Sequence, residues 1–285
     1  MKRWKLSQKL TQTKWLPTEI ATPKLRYRLG AIADKGSVRA NNEDSVLVIE
    51  AIDLFESVSR VRILCAVADG VGGSEKGEVA SRITLQTLAL RASEWLSQFK
   101  ETEPASVLKA AIESANEAVT ANALENPERQ GMASTIVASL IDGQNLHLTH
   151  VGDSRAYLIR QKEILRLTKD HSHVQELIDA GEITGDEAAD HPGRNVITRA
   201  VGAFRDLEVD MEQRTISPGE ALLLCSDGLW DLVQDNQIHE LVLKFEDPQT
   251  ACKELVSLAN ERGGKDNISI IIVRCELTNP PQSSE

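Results

Sequence analysis

The 285-residue sequence predicts an α+β layered domain. Three observations carry that prediction. Short apolar runs such as Val61–Ala68, Ala221–Cys225 and Ile268–Val273 abut Asp-Gly, Ser-Asp-Gly or Asp-Asn, the pattern of strands bounded by turns. The segments Thr135–Ile141 and Asn145–Val151 flank Asp142-Gly143, which joins them as an antiparallel hairpin. Helix-spaced apolar residues fall in separate stretches instead of alternating with each strand, which segregates helices from antiparallel sheets.

Along the chain, Val61–Ala68 (VRILCAVA) is the first clear strand. Gly77–Phe99 has few breakers, and Ala80, Ile83, Thr84, Leu88 and Arg91 recur at helical spacing. Ala105–Leu124 sets Leu108, Ile112, Ala115 and Val119 on one face, with Pro104 suited to its first turn. The short link Lys100–Glu103 makes these two helices an antiparallel pair. After the hairpin, Ala156–Arg160 follows the tight turn Gly152-Asp153-Ser154 and is expected to pair back on the strand before it. A loop at Asp170–His173 leads into a short helix, Val174–Ala180; Ala221–Cys225, a helix over Gln249–Glu261 and Ile268–Val273 complete the elements. With no Pro- or Gly-rich linker inside, one domain is expected over 25–277, followed by a frayed tail at 278–285.

The bulk charge excludes some functions. A net charge of −11 argues against nucleic acid as a partner. The charge is uneven: residues 1–28 hold eight basic residues against Glu19 alone, so residues 1–24 read as a flexible basic arm. The arm has no apolar core of the secretory kind, and no run of about 18 apolar residues occurs to cross a membrane. Cys65, Cys225, Cys252 and Cys275 form no C-x-x-C pair, which fits reduced thiols in a cytoplasmic protein.

The acids carry the chemistry. They occur in Arg39-Ala40-Asn41-Asn42-Glu43-Asp44, Asp69-Gly70-Val71-Gly72-Gly73, Gly152-Asp153-Ser154-Arg155, Ser226-Asp227-Gly228 and Asp266-Asn267. Each acid cluster lies at or near the end of an apolar run, where a side chain projects from the rim of a sheet. If they converge, their repulsion requires protonation or cations. Oxygen donors without His or Cys select Mg2+ or Mn2+ over zinc. Taken singly, each Asp-Gly is an ordinary turn.

In this order, the motifs resemble the protein phosphatase 2C family, the metal-dependent protein phosphatases, in its bacterial form. Gly131–Thr135, Lys169–Ser172, His191–Asn195 and Gly263–Asn267 extend the resemblance, which runs from about Tyr27 to Val273. It implies two packed antiparallel β-sheets flanked by antiparallel helix pairs, a four-layer α-β-β-α sandwich. It implies hydrolysis of phosphoserine and phosphothreonine in proteins by a metal-activated water, with two Mn2+ or Mg2+ ions and a third, weaker one. Carried over by position, Asp69 bridges two ions, Asp227 and Asp266 complete the first, and the Gly70 carbonyl serves the second. Glu43 and Asp44 hold the second ion through waters, Asp153 joins Asp227 at the third, and Arg39 grips the phosphate.

The implied partners are phosphorylated proteins and a cognate serine/threonine kinase; a monomer is the default. The alternative is a catalytically weak regulatory phosphoprotein-binding module on the same fold, but such modules typically lose an acid, and here the set is whole. Five positions depart from the family pattern. Val71 stands where eukaryotic relatives carry the His proposed as the acid, which leaves the proton donor unassigned. Ser74 stands where many bacterial members have His. Ala133-Ser134-Thr135 replaces Gly-Thr-Thr, and Ala33 precedes Asp34 in place of Thr or Ser. The resemblance also places 170–202 in a flap beside the cleft, with Gly181, Gly185 and Gly193 permitting motion. Asp170-His171-Ser172-His173 reads as a loop rather than a zinc site, and His147 and His150 face opposite sides of a strand.

Overall fold

The computed structural model describes residues 25–55, 58–73, 75–98 and 102–277; the basic arm, Ser74, part of the first helix link and the tail lie outside them. The strands are β1 Leu25–Asp34, β2 Ser45–Phe55, β3 Val58–Ala68, β4 Gly70–Val71, β5 Ala133–Ser134, β6 Ile136–Asp142, β7 Asn145–Val151, β8 Arg155–Ile159, β9 Ile164–Arg166, β10 Asp210–Thr215, β11 Ala221–Cys225 and β12 Ile268–Leu277. The α-helices are α1 Glu75–Gln98, α2 Pro104–Glu125, α3 His173–Asp179, α4 Gly185–Ala189, α5 Asp227–Trp230, α6 Asp235–Lys244 and α7 Pro248–Glu261.

Two five-stranded antiparallel sheets form, ordered β1-β12-β11-β8-β9 and β10-β7-β6-β3-β2. Strands at the centre of each sheet are buried on both faces, so they read as unbroken apolar runs. In β3, Ile63, Cys65 and Val67 point between the sheets, while Leu64, Ala66 and Ala68 point to α1 and α2. In β12, Ile271 and Val273 point between the sheets, while Ile268, Ile270 and Ile272 meet α5–α7. Three apolar layers therefore separate four layers of structure, the predicted α-β-β-α sandwich.

Helix ends follow capping rules. The Glu103 carboxylate accepts from the backbone N–H of Ala105 and Ser106 ahead of Pro104 in the first turn of α2. Asp247 accepts from Thr250 N–H at the start of α7, and Ser172 accepts from Gln175 N–H at the start of α3.

The chain departs from the sequence reading at three places. β8 does not pair back on β7: β7 belongs to the second sheet, whereas β8 lies between β11 and β9 in the first. The turn Gly152-Asp153-Ser154 thus crosses from one sheet to the other, with Gly152 at φ 103°. Arg26 and Arg28 lie in β1, a strand not picked out in the sequence, and Arg28 pairs with Asp247 and Glu276. β10 (DMEQRT) is an edge strand with no apolar run, held by its register with β7.

The layer between the sheets is the most sensitive to truncation. Leu224→Ala is expected to destabilise the fold by about 2–5 kcal/mol in urea unfolding, whereas Val48→Ala, on the exposed side of edge strand β2, should stay within about 0.5 kcal/mol.

Candidate metal centre

The acids are set on the rim where the two sheets meet. Asp69 follows central strand β3, Asp153 lies in the sheet-crossing turn, Asp227 opens α5 directly after β11, and Asp266 precedes β12. Strand ends fix these positions because each ladder is pinned on both sides. Arg39, Glu43, Asp69, Gly70, Asp153, Asp227 and Asp266 all line one cleft of about 320 Å3. Asp44 lies behind it, buried, and its carboxylate accepts from Ser226 Oγ at 2.8 Å.

Backbone anchors hold the acids. The Asp69 carbonyl accepts from Thr135 N–H at 2.8 Å and Ser134 Oγ at 3.0 Å, and Asp69 N–H donates to Thr135 Oγ1 at 3.2 Å. The Ala133-Ser134-Thr135 stretch thus supplies the hydroxyls needed to fix Asp69. Close approach explains two glycines. A Cβ on Gly70 would strike the Gly77 and Glu43 carbonyls, and one on Gly77 would strike the Glu43 carboxylate. Asn267, quoted in the motif but given no role there, is a central tether. Its Oδ1 accepts from Glu43 N–H at 2.8 Å, and its Nδ2 donates to the Lys35 and Asn41 carbonyls at 2.9 Å each. Ser226 is a second such residue, accepting from Ser269 N–H while it donates to Asp44. An Asn or Ser beside an acid reads as an ordinary turn in sequence, so neither role had a signal.

The electrostatics are severe. Loss of water raises the Asp69 and Asp227 carboxyls well above their usual range. For Asp69 the charges of Asp44 and Asp227 raise it further; for Asp227 those of Asp153 and Asp266 do. Burial pushes Asp44 up to about 6, offset in part by the Ser226 hydroxyl, and burial with the Asp170 charge pushes Asp153 up to about 6. Asp44 Oδ1 and Asp227 Oδ1 are buried with no hydrogen-bond partner. The nearest cation in the cleft, Arg39, is half-exposed and donates to Asp266 Oδ2 at 2.7 Å. Clustered, under-neutralised oxygen donors, with no His or Cys among the described lining residues, fit hard divalent cations.

A second acid–histidine group differs. His150, His171 and Asp210 bring possible ligand atoms within 4.8 Å of one another. The His150 and His171 rings are stacked 4.6 Å apart at 22°, so their in-plane lone pairs run side by side instead of converging. The Arg199 guanidinium sits 3.0 Å from Asp210 Oδ1 and 3.3 Å from His171 Nε2, supplying the positive charge there. Burial, the neighbouring His150 and Arg199 push His171 down to about 4, so it is neutral at pH 7. Its Nδ1 accepts from Gly152 N–H at 3.1 Å. This group braces the Asp153 turn. Arg194, Asn195 and Ile197 of the flap segment line the metal cleft itself, the place given to the flap.

Comparison with known proteins agrees with this geometry. A family model described as Protein phosphatase 2C matches residues 40–262. The serine/threonine protein phosphatase PstP of Mycobacterium tuberculosis is 38% identical over 252 residues; the alignment covers 87% of this chain and 45% of PstP, so the chain spans about half the length of that relative. The serine/threonine phosphatase stp of Listeria monocytogenes is 33% identical, covering 86% of this chain and 94% of the relative. A crystal structure of the PstP catalytic domain in complex with two manganese ions superposes with a TM-score of 0.76 at 36% identity, covering 89% of this chain and all of that one. With motif order, four-layer fold and likeness over most of its length in agreement, the chain belongs to the protein phosphatase 2C family.

Proposed function

We propose that residues 25–277 form a phosphatase domain that hydrolyses phosphoserine and phosphothreonine in proteins, in dependence on Mn2+ or Mg2+, and opposes a serine/threonine kinase. One observation carries the reading: a partly desolvated carboxylate cluster meets, in one cleft, a fork-shaped cation, Arg39, held directly against one of its acids, Asp266. Asp69, Asp227 and Asp266 would hold one ion; Asp69 and the Gly70 carbonyl, with Glu43 and Asp44 around them, a second; and Asp153 with Asp227 a third. Bound ions supply a deprotonated water at neutral pH and neutralise charge on the transferring phosphoryl group. Asp266 orients Arg39 by accepting from one terminal nitrogen, and the remaining guanidinium N–H groups are donors for phosphate oxygens. Val71 has no proton to give the leaving alcohol.

The same proposal places the protein in the cytoplasm as a monomer. Its support is four buried, unpaired cysteines, as in a reducing compartment. Among the described residues no helix is long and apolar enough to cross a membrane.

Phosphate release from a phosphothreonine peptide tests the reading. Release is expected with Mn2+ or Mg2+ and none with chelator; metal-independent release, or none from folded protein, overturns it. Asp227→Asn should lower kcat/KM by about 100-fold or more, since it removes an ion ligand rather than a supporting group. Arg39→Lys keeps the charge but loses the fork, and should raise KM about tenfold with Mn2+ dependence unchanged.

Stability without metal should follow the raised carboxyls. A carboxyl held above its unfolded value near 3.9 favours the fold below that pH and costs stability as pH rises. Asp227→Asn is therefore expected to melt above the wild type in chelator at pH 8, with the gap closing toward pH 4. Saturating Mn2+ should reverse the order, adding about 2.7 kcal/mol to the wild type at 100 times its dissociation constant. Equal melting of the two proteins in chelator at every pH would rule out carboxylate crowding.

A further inference from the structure

A second cavity, of about 490 Å3, opens beneath the flap and shares Asp153, Asp227, Arg194, Asn195 and Asp231 with the metal cleft. The two are therefore continuous. Val174 and Ile178 of α3 and Ala188 and Ala189 of α4 form its apolar wall, and Trp230 lies opposite.

Its charges do not balance. Buried Asp170 is already answered by Arg155, whose Nε and terminal nitrogen lie 3.0 and 2.6 Å from its two oxygens. That guanidinium is also fixed 3.5 Å above the Trp230 ring, and Trp230 Nε1 donates to the Asp153 carbonyl at 3.1 Å. Arg166, at the end of β9, adds a second positive charge to the same carboxylate, but loosely: 3.6 Å to Asp170 Oδ2 and 3.5 Å to Gln175 Oε1, with a third of the side chain exposed. Arg194 is matched by Asp231 at 3.7 Å. The lining sets Arg155, Arg166 and Arg194 against Asp153, Asp170, Asp227 and Asp231. Asp153 and Asp227 also line the metal cleft, where bound ions would answer them, and Arg166 would then be the positive charge in excess, in a protein of net charge −11.

We infer that this cavity is a second substrate subsite, in which Arg166 receives an anionic side chain, carboxylate or second phosphate, close to the phosphorylated residue of the same protein substrate. This rests on the phosphatase reading, which puts the phosphorylated residue in the adjoining cleft. Arg155 and Asp170 are too tightly paired to turn toward a ligand; Arg166 is free to do so at the loss of two long contacts. The aliphatic stem of the incoming side chain would lie along the wall of α3 and α4, with its charged end at β9. Specificity would then be set by a residue beside the phosphate, not by the phosphate itself.

Phosphothreonine peptides carrying one Glu, one phosphoserine or one Lys at each flanking position in turn test the inference with Mn2+-loaded protein. At one flank or more, wild-type kcat/KM is expected to be about fivefold higher with an anion than with a neutral residue, the scale of one partly exposed ion pair. Arg166→Gln should bring that ratio to about one, and Arg166→Glu should invert it in favour of Lys, with unchanged melting temperatures showing intact folds. A gain with Glu and phosphoserine alike identifies charge as the feature read; a gain with phosphoserine alone identifies a second phosphate. The same ratios are measured as affinities, by fluorescence anisotropy, with phosphonate peptides that cannot be hydrolysed. A wild-type ratio near one in both measurements, or a ratio unmoved by Arg166→Gln, overturns the subsite. Absent hydrolysis with the affinity ratio intact overturns the phosphatase reading and leaves the subsite standing.

Discussion

Asp44, Asp69, Asp153 and Asp227 crowd a partly desolvated rim with too little positive charge among them. Two like charges ~4 Å apart repel by about 4 kcal/mol at an effective dielectric of ~20, against a typical domain stability of about 5–15 kcal/mol. Such a group is held together only by structure that is strong elsewhere. The three apolar layers provide it, and the tethers around the rim are its local expression. Ser226, Asn267, Ser134 and Thr135 use buried and part-buried hydrogen bonds to prevent the acids from relaxing apart. The repulsion that strains the rim is what a bound cation would relieve.

Much of this was legible in the sequence because the same physics wrote both patterns. Strands buried on two faces have no polar alternation to keep, so β3, β11 and β12 stand out as apolar runs. Asp142-Gly143 marked its hairpin because Gly143, at φ 58°, takes the left-handed conformation such a turn needs. The acids were legible for a different reason: each stops an apolar run. β1 was overlooked, although Leu25, Tyr27, Leu29 and Ala31 alternate toward the core, because Arg26 and Arg28 between them continue the run of basic residues before it. β10 offered nothing to read, since a polar edge strand owes its conformation to β7. The change of sheet after β7 was equally hidden. A tight turn has the same residues whether the next strand pairs locally or joins a different sheet.

The flap shows a second limit. Sequence placed 170–202 beside the cleft but could not say how the segment is tied down. His171 does much of this. Its backbone N–H donates to the Gly152 carbonyl, its carbonyl accepts from Thr198 N–H, and its Nδ1 accepts from Gly152 N–H. One buried residue, by its backbone and its imidazole, thereby joins both ends of the flap to the turn that carries Asp153. A His in a polar stretch offers too many possible roles for pattern alone to choose this one.

The sheet-crossing turn has a consequence for the whole molecule. Asp69 hangs from the second sheet and Asp227 and Asp266 from the first, with Asp153 in the turn between them. The gap between the two sets of carboxylates is therefore set by how far apart the two sheets stand. That distance is fixed by the side chains filling the space between them, among them Val67, Val137, Leu222, Leu224 and Ile271. The oily filling is thus a gauge block for the ionic site. A change in its thickness, out of reach of any rim side chain, would therefore be felt as a change in the spacing of the carboxylates. In this architecture the geometry of a polar rim is partly a property of the hydrocarbon between the sheets.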